Sequence, residues 1–254
     1  MASEAVIIDP IHQFEIHPIG QHLSLFGMDV SFTNSSLFMV VAVAIIGFIM
    51  IFGTRARALV PGRLQSAAEI LYEFVADTVK STTGKEGLKF LPLVFSLFMF
   101  VMVCNFIGLV PGAYTVTSQV VVTFAFAVLV MSIVFLYGVF THGLHFFGLF
   151  KPSGVPALLL PLIIPIEVIS FLSRPISLGM RLFANMLAGH IALKVFAGFI
   201  VMLSAAGGWV ALSPLPMLMI VSLTALEFLV AGLQAFVFSI LTCIYLNDAL
   251  HPSH

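Results

Sequence analysis

Residues 173–190 read Ser173-Arg-Pro-Ile-Ser-Leu-Gly-Met-Arg-Leu-Phe-Ala-Asn-Met-Leu-Ala-Gly-His190, inside a long apolar stretch that suits lipid. Arg181 stands near the middle of this stretch, and its guanidinium keeps its charge at any physiological pH. An arginine at the centre of a bilayer costs about 2.5–3.5 kcal/mol on insertion scales. Because intramembrane ionisable residues are functional candidates by default, Arg181 is the first candidate site residue.

The composition of the chain is typical of a membrane protein. Of 254 residues, 61% are hydrophobic and 8% are charged, whereas soluble domains carry about 25% charged residues. This composition predicts several bilayer spans in an all-α integral membrane protein. The net charge of -1 does not bear on nucleic acid, but no basic stripe is present to bind it, so no nucleic-acid partner is expected. Cys104 and Cys243 lie in apolar runs without metal-ligand spacing, which indicates small buried hydrophobic residues and no metal site.

The positions of the cations predict an orientation in the membrane. Six of the ten Lys and Arg residues lie between Arg55 and Lys89, and a seventh is Lys151. Under the positive-inside rule, the segment from Arg55 to Lys89 is therefore cytoplasmic. The first 30 residues carry four acids and no Lys or Arg. We expect residues 1–34 to form an extramembrane segment on the opposite, periplasmic side, and residues 35–254 to form one polytopic membrane domain.

Apolar runs predict spans at about 36–53, 90–109 and 120–140. Between the first two, apolar residues recur at helical spacing over 63–82 with acids interposed, which predicts an amphipathic helix on the membrane surface. A plain solvated helix is the alternative. The segment 141–154 is predicted to be a loop. Its His142 and His145 are spaced as H-x-x-H, but without a further ligand this is weak evidence for a metal site, and interfacial histidines are favoured.

Residues 155–203 contain no recognisable polar loop over 49 residues. A helix of that length would extend about 73 Å, against a hydrocarbon core of about 30 Å. Two interpretations remain open: two short spans with a turn at Arg174-Pro175, or one long, tilted helix bent at its prolines. Residues 204–215 are predicted to be a loop, and a last apolar helix is expected over 216–246, followed by a polar tail.

Polar residues in 155–203 repeat with helical spacing. Glu167, Arg174 and Arg181 are seven apart, so they lie on nearly the same face of a helix, and Asn185 extends that face by one turn. His190 is nine residues after Arg181, about half a turn around the helix, and should line a different cavity. In the last helix, Glu227 and Gln234 share a face by the same seven-residue spacing. Such stripes indicate a hydrated or protein-lined surface.

The charge balance leaves Arg181 without a close acid on its own helix. Residues 155–246 contain three cations and two acids. Because an unpartnered buried arginine is expensive, either Glu227 reaches Arg181 or another chain supplies a carboxylate. The alternative is a structural arginine that ties two helices through backbone carbonyls and Gln234.

Three segments resemble subunit a of the membrane sector of F-type ATP synthases. They are residues 177–190, residues 233–246 (Leu233-Gln-Ala-Phe-Val-Phe-Ser-Ile-Leu-Thr-Cys-Ile-Tyr-Leu246) and residues 105–111 (Asn105-Phe-Ile-Gly-Leu-Val-Pro111). The resemblance covers most of the chain from about residue 35. It implies an N-terminal span, an amphipathic surface helix, two further spans and two long tilted helices packed beside a rotor ring. The N-terminus would lie outside and the C-terminus in the cytoplasm.

The resemblance also implies roles for particular residues. Arg181 would face the carboxylates of a rotating ring of c subunits. Other positions of the proton path would be Asn185, His190, Glu227 and Gln234, with Glu167 and Ser170 toward the cytoplasm. Some bacterial members interchange the residue types found here at 190 and 227, so the order of proton transfer between His190 and Glu227 stays open. The implied partners are the c ring, b-type peripheral stalk subunits, the rest of the complex and the lipid bilayer; no cofactor is implied.

These inferences combine into one hypothesis, a non-catalytic stator subunit of a bacterial inner membrane, with the mitochondrial inner membrane as the less favoured location. A proton would pass His190 and Glu227 to a rotor carboxylate. After nearly a full turn it would leave near Glu167, Ser170 and Arg174, where the charge of Arg181 favours the ionised carboxylate. Protons are favoured over sodium because histidine carries protons and is a poor sodium ligand. A self-contained secondary transporter or ion channel remains the alternative, although such proteins often show two related halves. A purely structural assembly subunit would leave the charged stripe unexplained.

Overall fold

The computed structural model describes residues 14–19, 24–25, 28–29, 31–55, 61–150, 159–205 and 212–251. Six α-helices make up most of these residues: α1 (Asn34–Arg55), α2 (Arg63–Thr83), α3 (Leu91–Gly108), α4 (Val120–His142), α5 (Leu160–Ala205) and α6 (Pro214–Leu250). Every helix except α2 is long and apolar enough to cross a membrane. For α3, the span includes the preceding 3-10 turn and covers Glu86–Gly108. The predicted all-α membrane fold is therefore confirmed, and α1, α3 and α4 lie where the first three spans were predicted.

Helix α2 has the amphipathic character that its sequence predicts. Its apolar residues Val75 and Val79 are buried where the helix packs on α1, α3 and α6. The carboxylates of Glu69, Glu73 and Asp77 all lie on the exposed side. Because one face is packed against three other helices, α2 is not a helix solvated on all sides.

Helix α5 settles the choice that the sequence left open for residues 155–203. It runs without interruption for 46 residues and contains both Pro165 and Pro175. At about 1.5 Å per residue it is about 69 Å long, so it must tilt strongly to remain within a bilayer. Proline is tolerated inside membrane helices because neighbouring groups re-satisfy the freed backbone carbonyl. Residues 155–158 lie outside the described part of the chain.

The prediction of a loop over 141–154 is wrong for residues 141–150, the part of this segment that the structure describes. Helix α4 continues to His142, and a 3-10 helix occupies Gly143–Phe150. The Phe146 ring in this segment is fully buried against Gly138 of α4, where a Cβ would lie 2.2 Å from the ring. This close packing gives the segment a defined structure. Lys151 is outside the described residues.

The predicted end of the last helix is also wrong. Helix α6 begins at Pro214 and continues to Leu250, four residues beyond the expected end. The extension forms one more turn, in which Ala249 and Leu250 are buried and Asp248 bonds to α5.

Two short 3-10 segments, Glu86–Phe90 and Val116–Ser118, precede α3 and α4. The strands β1 (Ser24–Leu25) and β2 (Met28–Asp29) pair antiparallel ahead of α1.

Candidate functional site

Arg181 lies on an exposed face of α5, and the packing of the helix determines this direction. Its neighbours Leu182 and Met186 are buried. Two residues before it, Gly179 lies directly against the backbone of α4, where an added Cβ would be 3.2 Å from the Cα of Phe124. A larger residue at 179 could not approach α4 so closely, so this contact sets the rotation of α5 about its axis. Arg181 consequently projects away from α4.

The guanidinium of Arg181 forms no ion pair with the residues that the structure describes. Gln234 of α6 donates from Nε2 to the backbone oxygen of Arg181 over 3.2 Å, which ties the two helices through the backbone. Glu227 pairs with His190 instead of Arg181.

His190 and Glu227 form a buried pair between α5 and α6. The imidazole Nδ1 lies 3.5 Å from the Glu227 Oε1, and their side chains are 12% and 6% exposed. Gly189 makes room for the carboxylate, since a Cβ there would be 2.5 Å from Oε1. Neither carboxylate oxygen has a hydrogen-bond partner among the described residues. At this distance the His190 imidazole can exchange a proton with the Glu227 carboxylate after a small movement.

The loop between α3 and α4 lies on the other side of the His190 ring. Thr115 Oγ1 is hydrogen-bonded to His190 Nε2 at 3.0 Å, and the Phe14 ring lies tilted to the imidazole at 6.2 Å. Phe14 is held by its backbone oxygen, which accepts from Gln119 Nε2 at 2.8 Å and from the Tyr114 hydroxyl at 3.2 Å. Burial raises the pKa of the Tyr114 phenol, and the hydrogen bond from Gln119 opposes this. The phenol therefore stays protonated and can donate to Phe14.

Asn105 of α3 contributes a further buried polar group. Its Nδ2 donates to the backbone oxygen of Ala231 over 3.0 Å, one helical turn after Glu227. Its Oδ1 is buried without a hydrogen-bond partner among the described residues. Asn105 thus ties α3 to α6 and leaves an acceptor beside the turn that carries Glu227.

Arg174 forms an ion pair that the sequence did not predict. Its Nη1 lies 2.7 Å from Oδ2 of Asp248 at the end of α6. The guanidinium also lies over the rings of Phe171 at 5.4 Å and Tyr245 at 5.2 Å. These contacts clamp the C-terminal end of α6 to the middle of α5. Asp248 lies two residues beyond the range 155–246, so a balance of charges over that range leaves this acid out.

This clamp gives a testable stability effect. Asp248→Asn leaves the half-buried Arg174 without its charge partner, so we expect the purified assembly to lose roughly 1–2 kcal/mol of stability, less than for a fully buried pair. Arg174→Gln should have a similar effect, and the double variant should be no worse than either. Thermal unfolding of the solubilised complex measures this, with the exposed Asp77→Asn of α2 as control. Strictly additive losses would show that the pair contributes no coupling.

The remaining predicted site residues lie on α5 without a hydrogen bond from their side chains to another helix in the described part. Glu167 is half-buried, while Ser170 and Asn185 are exposed. The structure thus brings together His190 with Glu227, and Gln234 with the backbone of Arg181. Sequence reasoning missed Thr115 and Asp248. The sequence does not mark Thr115 as a site residue, because a threonine in a loop can be recognised as a partner of His190 only once the fold places that loop beside α5.

Comparison with known proteins connects this geometry to a family. Residues 36–247 match the family model described as ATP synthase A chain. The chain is 62% identical to ATP synthase subunit a of Azorhizobium caulinodans over 249 residues, covering 97% of this chain and 99% of that one. The chain belongs to the ATP synthase subunit a family. Subunit a of Beijerinckia indica is 59% identical, with 97% and 98% covered, and that of a Methylobacterium species is 58% identical, with 98% and 100% covered.

Membership in the subunit a family confirms the resemblance seen in the sequence. The matched range contains nearly all of α1 to α6, including Arg181, His190, Glu227 and Gln234. It ends one residue before Asp248, the partner of Arg174. The chain is a multi-pass membrane protein of this family.

Proposed function

We propose that this chain is the proton-conducting stator subunit of an F-type ATP synthase, with two aqueous half-channels that do not meet. One observation carries the proposal: Arg181 is exposed on a long apolar helix and forms no ion pair among the described residues. A permanent charge at such a position requires compensation. A carboxylate on a rotor ring passing this face of α5 would supply it.

The first half-channel would run through His190 and Glu227. The two side chains are within 3.5 Å of each other and nearly buried, and both can take up a proton. Asn105, bonded to Ala231 one turn after Glu227, adds a buried acceptor on that part of α6. A proton delivered from here would neutralise a rotor carboxylate. Once neutral, that carboxylate can enter lipid because the cost of burying a charge has been removed.

The second half-channel would lie along the α5 face of Glu167 and Ser170, toward Arg174. A rotor carboxylate that returns to Arg181 meets a positive charge, which favours its ionised form and releases the proton. Arg181 also repels a proton and cannot relay one, so it separates the two paths. In this scheme Arg174 lies at the boundary of the exit path. Its ion pair with Asp248 holds α6 against α5.

The placement in the cell follows the same proposal. The cations of α2 and its flanks would lie in the cytoplasm, and Phe14 and the loop that holds it would lie on the periplasmic side. The membrane would be the bacterial inner membrane. The partners would be the c ring, b-type peripheral stalk subunits and the remaining subunits of the ATP synthase. The chain itself would conduct protons without catalysing ATP formation.

Cross-linking tests the rotor contact against the alternative of a self-contained transporter. Asn185→Cys puts a thiol on the exposed face one turn from Arg181, while the chain's own Cys104 and Cys243 are buried. A photoreactive maleimide on this thiol should yield an adduct with a small hydrophobic protein that is present in many copies. Val43→Cys, on the exposed side of α1, is the matched control and should yield no such adduct. An Asn185→Cys chain that cross-links only to lipid in native membranes would favour the transporter.

A further inference from the structure

We infer that Thr115 is a positioning residue for proton transfer, which holds the His190 imidazole with Nε2 toward the loop and Nδ1 toward Glu227. The inference rests on the proposed function, since it concerns how His190 serves the first half-channel. Thr115 is almost fully buried, and its Oγ1 lies 3.0 Å from Nε2. On the other side of the ring, Nδ1 lies 3.5 Å from Glu227. The two nitrogens thus have separate partners on separate elements.

The hydroxyl of Thr115 also determines which nitrogen carries the proton in the neutral imidazole. Its second neighbour is the backbone oxygen of Gly108, at 3.5 Å. With the Thr115 hydrogen directed to this carbonyl, which can only accept, the Thr115 oxygen accepts from Nε2–H of His190. The partner of one ring nitrogen sets the state of the other. Neutral His190 therefore presents an unprotonated Nδ1 to Glu227, ready to receive a proton.

The bond to Thr115 is compatible with both states of the relay. After Nδ1 takes a proton, both ring nitrogens are donors, and Nε2–H still donates to Oγ1. The imidazole can thus gain and lose its proton at Nδ1 without turning. Without Thr115 the ring would lose its only hydrogen-bond partner among the described residues on that side, and Nδ1 would face Glu227 for a smaller fraction of the time.

The position of Thr115 is itself set by Gly108 at the end of α3. A Cβ on Gly108 would lie 2.7 Å from Cγ2 of Thr115 and 3.0 Å from its Oγ1. The threonine therefore sits in space that only glycine leaves open. The end of α3 is in this way connected to His190 of α5 through a single side chain.

A set of three substitutions tests the inference. Thr115→Val keeps the shape but removes the hydroxyl, so buried Nε2 loses its partner, and we expect proton-driven ATP synthesis to slow about five- to tenfold. Thr115→Ser keeps the hydroxyl and should stay within about twofold of the natural chain. The control is Thr117→Val in the same turn, because the Thr117 hydroxyl is buried without a hydrogen-bond partner in the described part. It should leave the rate unchanged. Rates are measured in inverted vesicles at a fixed proton gradient, per assembled complex.

Gly108→Ala provides a second route to the same effect without deleting a polar group. The added methyl should displace Thr115 and slow synthesis, and combining it with Thr115→Ser should restore part of the rate because the atom closest to the new methyl is then gone. Equal rates for Thr115→Val and Thr117→Val, or equal slowing by Thr115→Val and Thr115→Ser, would overturn the positioning role. Either result leaves the proposed function standing if Glu227→Gln still blocks synthesis. Full activity in Glu227→Gln would instead overturn the proposed relay.

Discussion

Arg181→Ala is expected to abolish proton-driven ATP synthesis, with a loss on the order of a hundredfold or more, in a complex that still assembles. The side chain is exposed and forms no ion pair among the described residues, so its removal breaks no ion pair in that part of the fold. The backbone bond from Gln234 to residue 181 survives because it does not involve the side chain. In the proposed mechanism, what disappears is the charge that separates the half-channels and makes rotor carboxylates release their protons.

Arg181→Lys should also fail to couple proton flow to synthesis, because lysine lacks the planar guanidinium with its several N–H donors and can lose its proton when desolvated. Arg63→Ala, at the exposed start of α2, is the matched control for loss of a cation and should synthesise ATP normally. ATP synthesis in inverted vesicles is compared per assembled complex. A purely structural arginine predicts the opposite pattern, with little assembled complex in Arg181→Ala and partial rescue by lysine.

Glu227→Gln is expected to slow proton-driven ATP synthesis by roughly a hundredfold, the scale of losing a positioned proton carrier. The amide fits the same space beside Gly189 but cannot exchange a proton with His190. The fold should tolerate the change, because the carboxylate oxygens make no hydrogen bond among the described residues whose loss would matter. Glu73→Gln on the exposed side of α2 is the control and should leave the rate unchanged.

The exchange His190→Glu with Glu227→His extends this prediction. Each single change leaves two groups of the same type facing each other, whereas the double change restores one acid and one imidazole. The double variant should therefore retain more ATP synthesis than either single variant. Synthesis in the double variant below that of both single variants would show that the pair acts through shape alone. Rates are again normalised to the assembled complex.

Much of this architecture is predictable from apolar runs and charge positions, since lipid restricts spanning segments to regular helices. The seven-residue spacing of Glu227 and Gln234 places them on one face by helix geometry alone. Helix ends were less predictable. Asp248 looks like part of a polar tail until its bond to Arg174, 74 residues earlier, is seen.

Contacts between distant elements were the part that the sequence could not supply. Thr115 and His190 are 75 residues apart, and only the fold of the loop between α3 and α4 places them together. The family resemblance implies that His190 and Glu227 belong to one proton path, but the room that Gly189 leaves for the carboxylate depends on how α5 and α6 pack. Gly179 likewise has no periodic signal, although its contact with α4 determines where Arg181 points.

Passive proton flux through the membrane sector, with the catalytic sector stripped from the vesicles, tests the central claim most directly. If Arg181 separates two half-channels, Arg181→Ala should leave a proton leak at or above that of the natural chain. The leak should still use the His190–Glu227 pair, so the double variant Arg181→Ala with Glu227→Gln should conduct at least about tenfold less. A leak that is equally large in the double variant, at equal amounts of assembled membrane sector, would contradict the proposed path.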